Sequence, residues 1–145
     1  MTAMIAQMPL HLFVYGTLRS AAQHPQHALI GAAADLIGGA VLEGRLFDCG
    51  EYPGAVWQAG ADTWVVGELF AVRGAHAASG LFDALDRYEA CSPTDPTPHE
   101  FTRSICPVRL ATGMTLPAWV YLYAWDTAKL PPIHSGDYLT NPQRF

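Results

Sequence analysis

Basic residues are scarce. Lys129 is the only lysine, and seven arginines (19, 45, 73, 87, 103, 109 and 144) are scattered through 145 residues of net charge −5. A nucleic-acid binder carries a basic stripe and a polybasic membrane segment carries a run of such residues, so neither nucleic acid nor membrane is expected as a partner. Cysteine is scarce too. Cys49, Cys91 and Cys106 are odd in number and form no C-x-x-C, which argues against a disulfide framework or a four-ligand zinc site. They read as small buried hydrophobes. No apolar run approaches the ~20 residues of a membrane span. Met1–Leu10 lacks a positive n-region and a long apolar h-region. The chain therefore reads as soluble and cytoplasmic. Charged residues make up 14% against 50% hydrophobic, the reverse of a disordered chain. Area scaling for this length hides about two-thirds of the unfolded surface, enough for one core and too little for two domains. Residues 1–145 are read as a single domain, with 1–9 a loose extension.

Several chemical signatures are missing as well. There is no G-x-x-x-x-G-K-[ST], and the single lysine lies in the tail, so P-loop chemistry is excluded. G-x-G-x-x-G, H-E-x-x-H and G-x-S-x-G are absent. His24 and His27 flank Pro25 in a polar stretch with no third ligand nearby, and no metal site is assigned. Ser135, within His-Ser-Gly-Asp, reads as a turn residue.

The pattern that is present describes an α+β chain. Leu10–Tyr15 is a bulky apolar run ending at Gly16, a buried strand feeding a tight loop. His27–Ala34 reads as a short helix weakened by Gly31. Leu36–Phe47 carries glycines at 38, 39 and 44 among β-formers, a long bent strand. Asp48–Gly54 is a turn cluster, Ala55–Gln58 a short strand, Gly60–Asp62 a turn and Trp64–Val72 a strand. Gly74–Ala90 is the strongest helix, with Leu81, Phe82, Leu85 and Tyr88 on one face turned to the core and Ser79 placed to cap its second half. Ser92–His99, with three prolines, is a loop. Phe101–Leu110 and Leu116–Ala124 form a hairpin across Ala111–Thr115, with Pro107 marking an edge or bulged strand. The tail from Lys129 reads as loop. About six strands with one or two helices predict a small, bent, barrel-like and mostly antiparallel sheet.

Two segments bear on chemistry. Tyr15-Gly16-Thr17-Leu18-Arg19 follows the first strand. A glycine there lets successive N–H groups turn into one concavity that holds a carboxylate or oxyanion; the plainer alternative is a strand-ending turn with Tyr15 packed in the core. Leu85-Asp86-Arg87-Tyr88-Glu89 closes the strong helix. A carboxylate at a helix C-terminus faces partial negative charge, and partial burial raises its pKa further. Such a group is suited to moving protons near neutral pH. The plainer alternatives are a solvated last-turn glutamate and, for Asp86, a surface or loop-bracing carboxylate.

The order of motifs is VYGTLR, then G-x-L-F-x-x-G-x-Y-P at Gly44–Pro53, V-x-G-E-L-F at Val65–Phe70, LDRYE, and W-V-Y-L-Y. From about Leu10 to Tyr138 this resembles the γ-glutamylcyclotransferase-like, or AIG2-like, family. The resemblance implies a bent-sheet or barrel-like α+β domain with a pocket at the Y-G-[ST]-L loop. It implies cyclisation of a γ-glutamyl group to 5-oxoproline with release of an amine. It further implies substrate binding by Tyr15, Gly16, Thr17 and Leu18, and catalysis by Glu89. Tyr138 stands where some members place a tyrosine near the substrate. Ala90 departs from the glycine many members have after the glutamate, and the Ser92–His99 insert departs near the pocket.

The residues suit that chemistry. The α-amine must lose a proton before attacking its own γ-carbonyl, and one carboxylate can take the proton and pass it to the leaving nitrogen. Ring closure is intramolecular, so orientation supplies much of the rate. No metal or organic cofactor is required. Three readings stand: a cyclotransferase acting on a small γ-glutamyl amine, amino acid or peptide; a non-catalytic small-ligand-binding member of the same fold; and a partner-binding domain with an incidental pocket. The sequence leaves the leaving amine and the oligomeric state open.

Overall fold

The computed structural model describes residues 9–16 and 27–140. Six strands and two helices run in the order β1 (His11–Val14), α1 (His27–Ala33), β2 (Ala34–Asp48), β3 (Pro53–Trp57), β4 (Trp64–Val72), α2 (Ala75–Tyr88), β5 (Phe101–Leu110) and β6 (Thr115–Tyr123), followed by a short 3-10 turn, Tyr138–Thr140. The elements expected from the sequence are all present, with ends displaced by one or two residues. The expected extension before Pro9, and the segment after Gly16 that includes Thr17, Leu18 and Arg19, lie outside the described residues.

The sheet order is β3-β2-β4-β1-β6-β5, and β2 also pairs with β5. That pairing closes β2, β4, β1, β6 and β5 into a barrel, with β3 attached to β2 outside the ring. Every pairing is antiparallel except β1 with β6. β2 can serve three neighbours because it is long and bent. Its register against β4 shifts between Leu36 and Gly38, where Gly38 has φ +154°. Further along, at Gly44, φ is +155° and an added Cβ would sit 2.1 Å from the Val56 carbonyl oxygen. β5 meets β2 only from Val108 to Leu110. Pro107 therefore lies where one side of the strand has no ladder to interrupt.

β1 shows why a strand of unbroken apolar character forms here. Phe13 and Tyr15 point into the barrel with Leu42, Val65, Leu69, Val108 and Val120. Leu12 and Val14 point outward, under the helices, with Ile30, Phe70, Leu81, Phe82 and Leu85. Both faces of the strand are buried, so alternation disappears.

α2 begins at Ala75, with Gly74 at its N-cap and no side-chain cap. The expected capping role of Ser79 is not seen, because the helix runs unbroken through that position. Ala78, Leu81, Phe82 and Leu85 are buried. Tyr88, expected to face the core, is instead 39% exposed. The tail is held more firmly than a loop. Asp48 N–H donates to the Pro131 carbonyl and Ile133 N–H to the Leu46 carbonyl, both at 2.8 Å. Ile133 and Tyr138 fill the barrel interior. Ser135 sits in a turn, its hydroxyl accepting from Asp137 N–H at 3.2 Å.

Candidate functional site

α2 ends in a paired C-terminal turn. Cys91 N–H donates to the Asp86 carbonyl at 2.9 Å and Ala90 N–H to the Arg87 carbonyl at 3.2 Å. This places Ala90 in the left-handed region, φ 57°, the conformation such a turn demands and glycine adopts most readily. Glu89 is the C-cap, with φ −83° and ψ 1°, and the turn aims its side chain back toward the sheet.

Asp86 fixes that helix end. Arg103 donates to it through Nε at 2.9 Å and Nη2 at 3.2 Å, and the Tyr121 hydroxyl donates at 2.7 Å. The Arg103 guanidinium lies 4.7 Å from the Phe82 ring centre and 4.5 Å from that of Trp119. The carboxylate braces α2 against β5 and β6.

A cavity of about 290 Å³ opens between this helix end and the end of β1. Tyr15, Gly16, Pro53, Glu89, Glu100 and Tyr121 are among its lining residues. The structure thus brings together Tyr15, Gly16 and Glu89, three positions that are far apart in sequence. Gly16 is not in a left-handed conformation. Its lack of a side chain is explained by packing, since an added Cβ would lie 2.9 Å from the Pro53 ring. The Tyr15 hydroxyl donates to the Tyr121 carbonyl at 2.6 Å and accepts from Ala55 N–H at 3.1 Å. It ties β6 to β3 and shows only its ring to the cavity. Burial pushes its pKa far up, so it stays a neutral phenol. Thr17 and Leu18 lie outside the described residues.

Tyr138 does not line the cavity. It is buried in the barrel core, and its hydroxyl donates to the Glu51 carbonyl at 3.2 Å. The Ser92–His99 insert supplies no lining residue either; only the chain on its two flanks, Ala90 and Glu100, does so.

Glu89 is half-buried, and its pKa is pushed up from the ordinary 4.5 to about 7, first by desolvation and second by the charge of Glu100. Glu100 carries no signal in the sequence. It follows a proline-rich loop and precedes β5 with no motif around it, so only the fold reveals it. The Tyr52 hydroxyl donates to Glu100 Oε2 at 2.5 Å. Burial raises the thiol pKa values of Cys49 to about 12 and of Cys91 and Cys106 to about 11, which makes all three poor nucleophiles near neutral pH. Among the described residues no group of three or more histidines, cysteines, aspartates or glutamates could hold a metal ion. No helix among them is long and apolar enough to cross a membrane.

The fold has well-matched counterparts among solved structures. An AIG2-like protein from Mus musculus is 24% identical over 92% of this chain and 91% of its own, with a TM-score of 0.67. YtfP from Escherichia coli is 26% identical over 90% of this chain and 96% of its own, with a TM-score of 0.60. YkqA from Bacillus subtilis is 24% identical over 90% of this chain, with a TM-score of 0.65, and this chain spans 40% of YkqA's length. No curated protein matches the chain. The family model described as gamma-glutamyl cyclotransferase, AIG2-like, matches residues 12–140. On that match, which takes in both helices and every strand but for the first residue of β1, the chain belongs to the gamma-glutamyl cyclotransferase, AIG2-like family.

Proposed function

We propose that the protein is a γ-glutamyl cyclotransferase, converting a γ-glutamyl amide into 5-oxoproline and a free amine by intramolecular acyl transfer. The observation that carries the reading is the half-buried Glu89 carboxyl. It lines the same cavity as Tyr15 and Gly16, and its pKa is raised to about 7. A carboxylate of that basicity accepts a proton from the substrate α-ammonium far better than an ordinary glutamate. The uncovered amine attacks the γ-carbonyl carbon, forming the ring C–N bond and an oxyanion. The oxyanion collapses, the bond to the leaving nitrogen breaks as Glu89 returns its proton to that nitrogen, and the ring nitrogen releases its second proton to solvent, leaving the neutral lactam. Backbone N–H groups at the end of β1 are the donors nearest in sequence for the substrate carboxylate or the oxyanion.

The test is a panel of γ-glutamyl amines, amino acids and peptides assayed for 5-oxoproline. Turnover of at least one is expected. Glu89→Gln should retain the fold and ligand binding while 5-oxoproline formation falls at least ~10²-fold, the scale of losing a general base, in kcat more than in KM. Asp86→Asn should lower the rate less, since Asp86 acts only by holding the helix end. The wild-type rate should rise with pH through a limb near 7. Near-normal turnover by Glu89→Gln would sink the mechanism. Absence of 5-oxoproline from the whole panel would point instead to a binding protein on the same fold.

A further inference from the structure

Glu100 is the second charged side chain lining the cavity, and its role is not given by the cyclisation chemistry. Both charged lining residues are glutamates, and among the described residues no lysine, arginine or histidine joins them. The hydroxyls of three lining tyrosines are directed to protein partners: Tyr15 to the Tyr121 carbonyl, Tyr121 to Asp86, and Tyr52 to Glu100 itself. The charge these walls present to a ligand is therefore that of carboxylates alone among the described residues. The 2.5 Å bond from Tyr52 engages one Glu100 oxygen and fixes its direction. A carboxylate can accept further hydrogen bonds at its remaining lone pairs.

A γ-glutamyl group brings one ammonium and one carboxylate. In the proposed reaction the ammonium is matched by Glu89, its proton acceptor, and this leaves the charge of Glu100 without a counterpart on the glutamyl portion. We infer that Glu100, held by Tyr52, is a specificity-determining residue that receives a cationic group on the leaving amine. The site then takes γ-glutamyl amides of short diamines in preference to those whose leaving group ends in a carboxylate. The inference rests on the proposed reaction for the orientation of the substrate. The cavity volume of about 290 Å³ lies just below the ~300–1,000 Å³ range of small-ligand sites, which suits a short leaving chain.

Three amides of matched length test it: γ-glutamyl conjugates of 1,4-diaminobutane, butylamine and 4-aminobutanoate, ending in a cation, a methyl group and an anion. Calorimetric titration of the Glu89→Gln protein measures binding without turnover, and kcat/KM is measured on the wild type. The diamine conjugate should bind at least about tenfold more tightly than the butylamine conjugate, the scale of one hydrogen bond to a charged group, and the anionic conjugate most weakly. In Glu100→Gln the cation-to-neutral ratio of kcat/KM should fall to near one, with the change in KM. That ratio cancels any altered basicity of Glu89, which all three substrates share. Equal binding of the cationic and neutral conjugates, no binding of the cationic one, or an order unchanged by Glu100→Gln would overturn the inference. If none of the three yields 5-oxoproline, the proposed reaction fails for them, and the calorimetric order still decides the role of Glu100.

Discussion

Glu89 ionises reluctantly because water is largely excluded from its carboxyl and a second carboxylate lies across the cavity. The sign of the consequence for stability follows directly. The folded state holds the proton up to about pH 7, whereas the unfolded chain releases it near 4.5. Between those values the native state binds more protons, so stability falls as pH rises. At about 1.4 kcal/mol per unit, the full displacement corresponds to roughly 3 kcal/mol, complete once pH exceeds the folded-state value. Glu89→Gln removes the ionisation. It should leave stability at pH 4 little changed and raise it at pH 8 by on the order of 2–3 kcal/mol in urea denaturation. Equal denaturation midpoints for the two proteins at pH 8 would show that Glu89 ionises without penalty. The expected loss of activity and gain of stability in one variant are the two sides of a strained functional group.

At the scale of elements, the end of α2 decides where Glu89 points. The turn that stops the helix needs a left-handed residue at position 90, and alanine occupies it at φ 57°. That conformation costs an L-residue roughly 1–2 kcal/mol, a penalty glycine does not bear. Ala90→Gly should therefore stabilise the protein by about 1 kcal/mol, read from chemical denaturation. It should leave the Glu89 pH limb in place, since the turn is already formed. A loss of stability would mean that the alanine methyl contributes more than its backbone strain removes. The alanine at position 90 thus bears on how the helix terminates.

Across the whole molecule, barrel closure sets the cavity. β1 is short and central, paired with β4 on one side and β6 on the other, and its end supplies the wall opposite Glu89. Gly67 on β4 lets the barrel close tightly there. An added Cβ would lie 2.2 Å from the Val14 carbonyl oxygen and 2.6 Å from the Phe13 ring. Gly67→Ala should destabilise the fold by at least about 2 kcal/mol, the range of overpacking, and lower Tm by on the order of 5–10 °C. Gly80→Ala is the control. It lies in α2 with open space around an added Cβ and should stabilise by about 0.5–1 kcal/mol through helix propensity. Equal melting temperatures for the two variants would contradict the packing account.

Local features were legible in the sequence wherever local physics decides them. The α2 face shows in the spacing of Leu81, Phe82 and Leu85, the bends of β2 in its glycines, and the hairpin of β5 and β6 in the turn between apolar strands. The motif order pointed to the family that the family model bears out over residues 12–140, and the helix-end position of Glu89 marked it as a carboxylate with a raised pKa. What depends on distant chain segments was not legible. Tyr15 reads as a substrate-loop residue, yet its hydroxyl is taken up by β3 and β6. Tyr138 reads as a site residue, yet it is buried in the barrel. Gly16 reads as a backbone hinge, yet its small size serves the Pro53 ring. Glu100 has no local pattern at all. Sequence periodicity records which face of an element is apolar, because burial imposes it on every turn or alternate residue. Which polar atoms meet, and which remain for a ligand, is decided only when barrel closure brings β1, the turn before β3, the end of α2 and the start of β5 around one cavity.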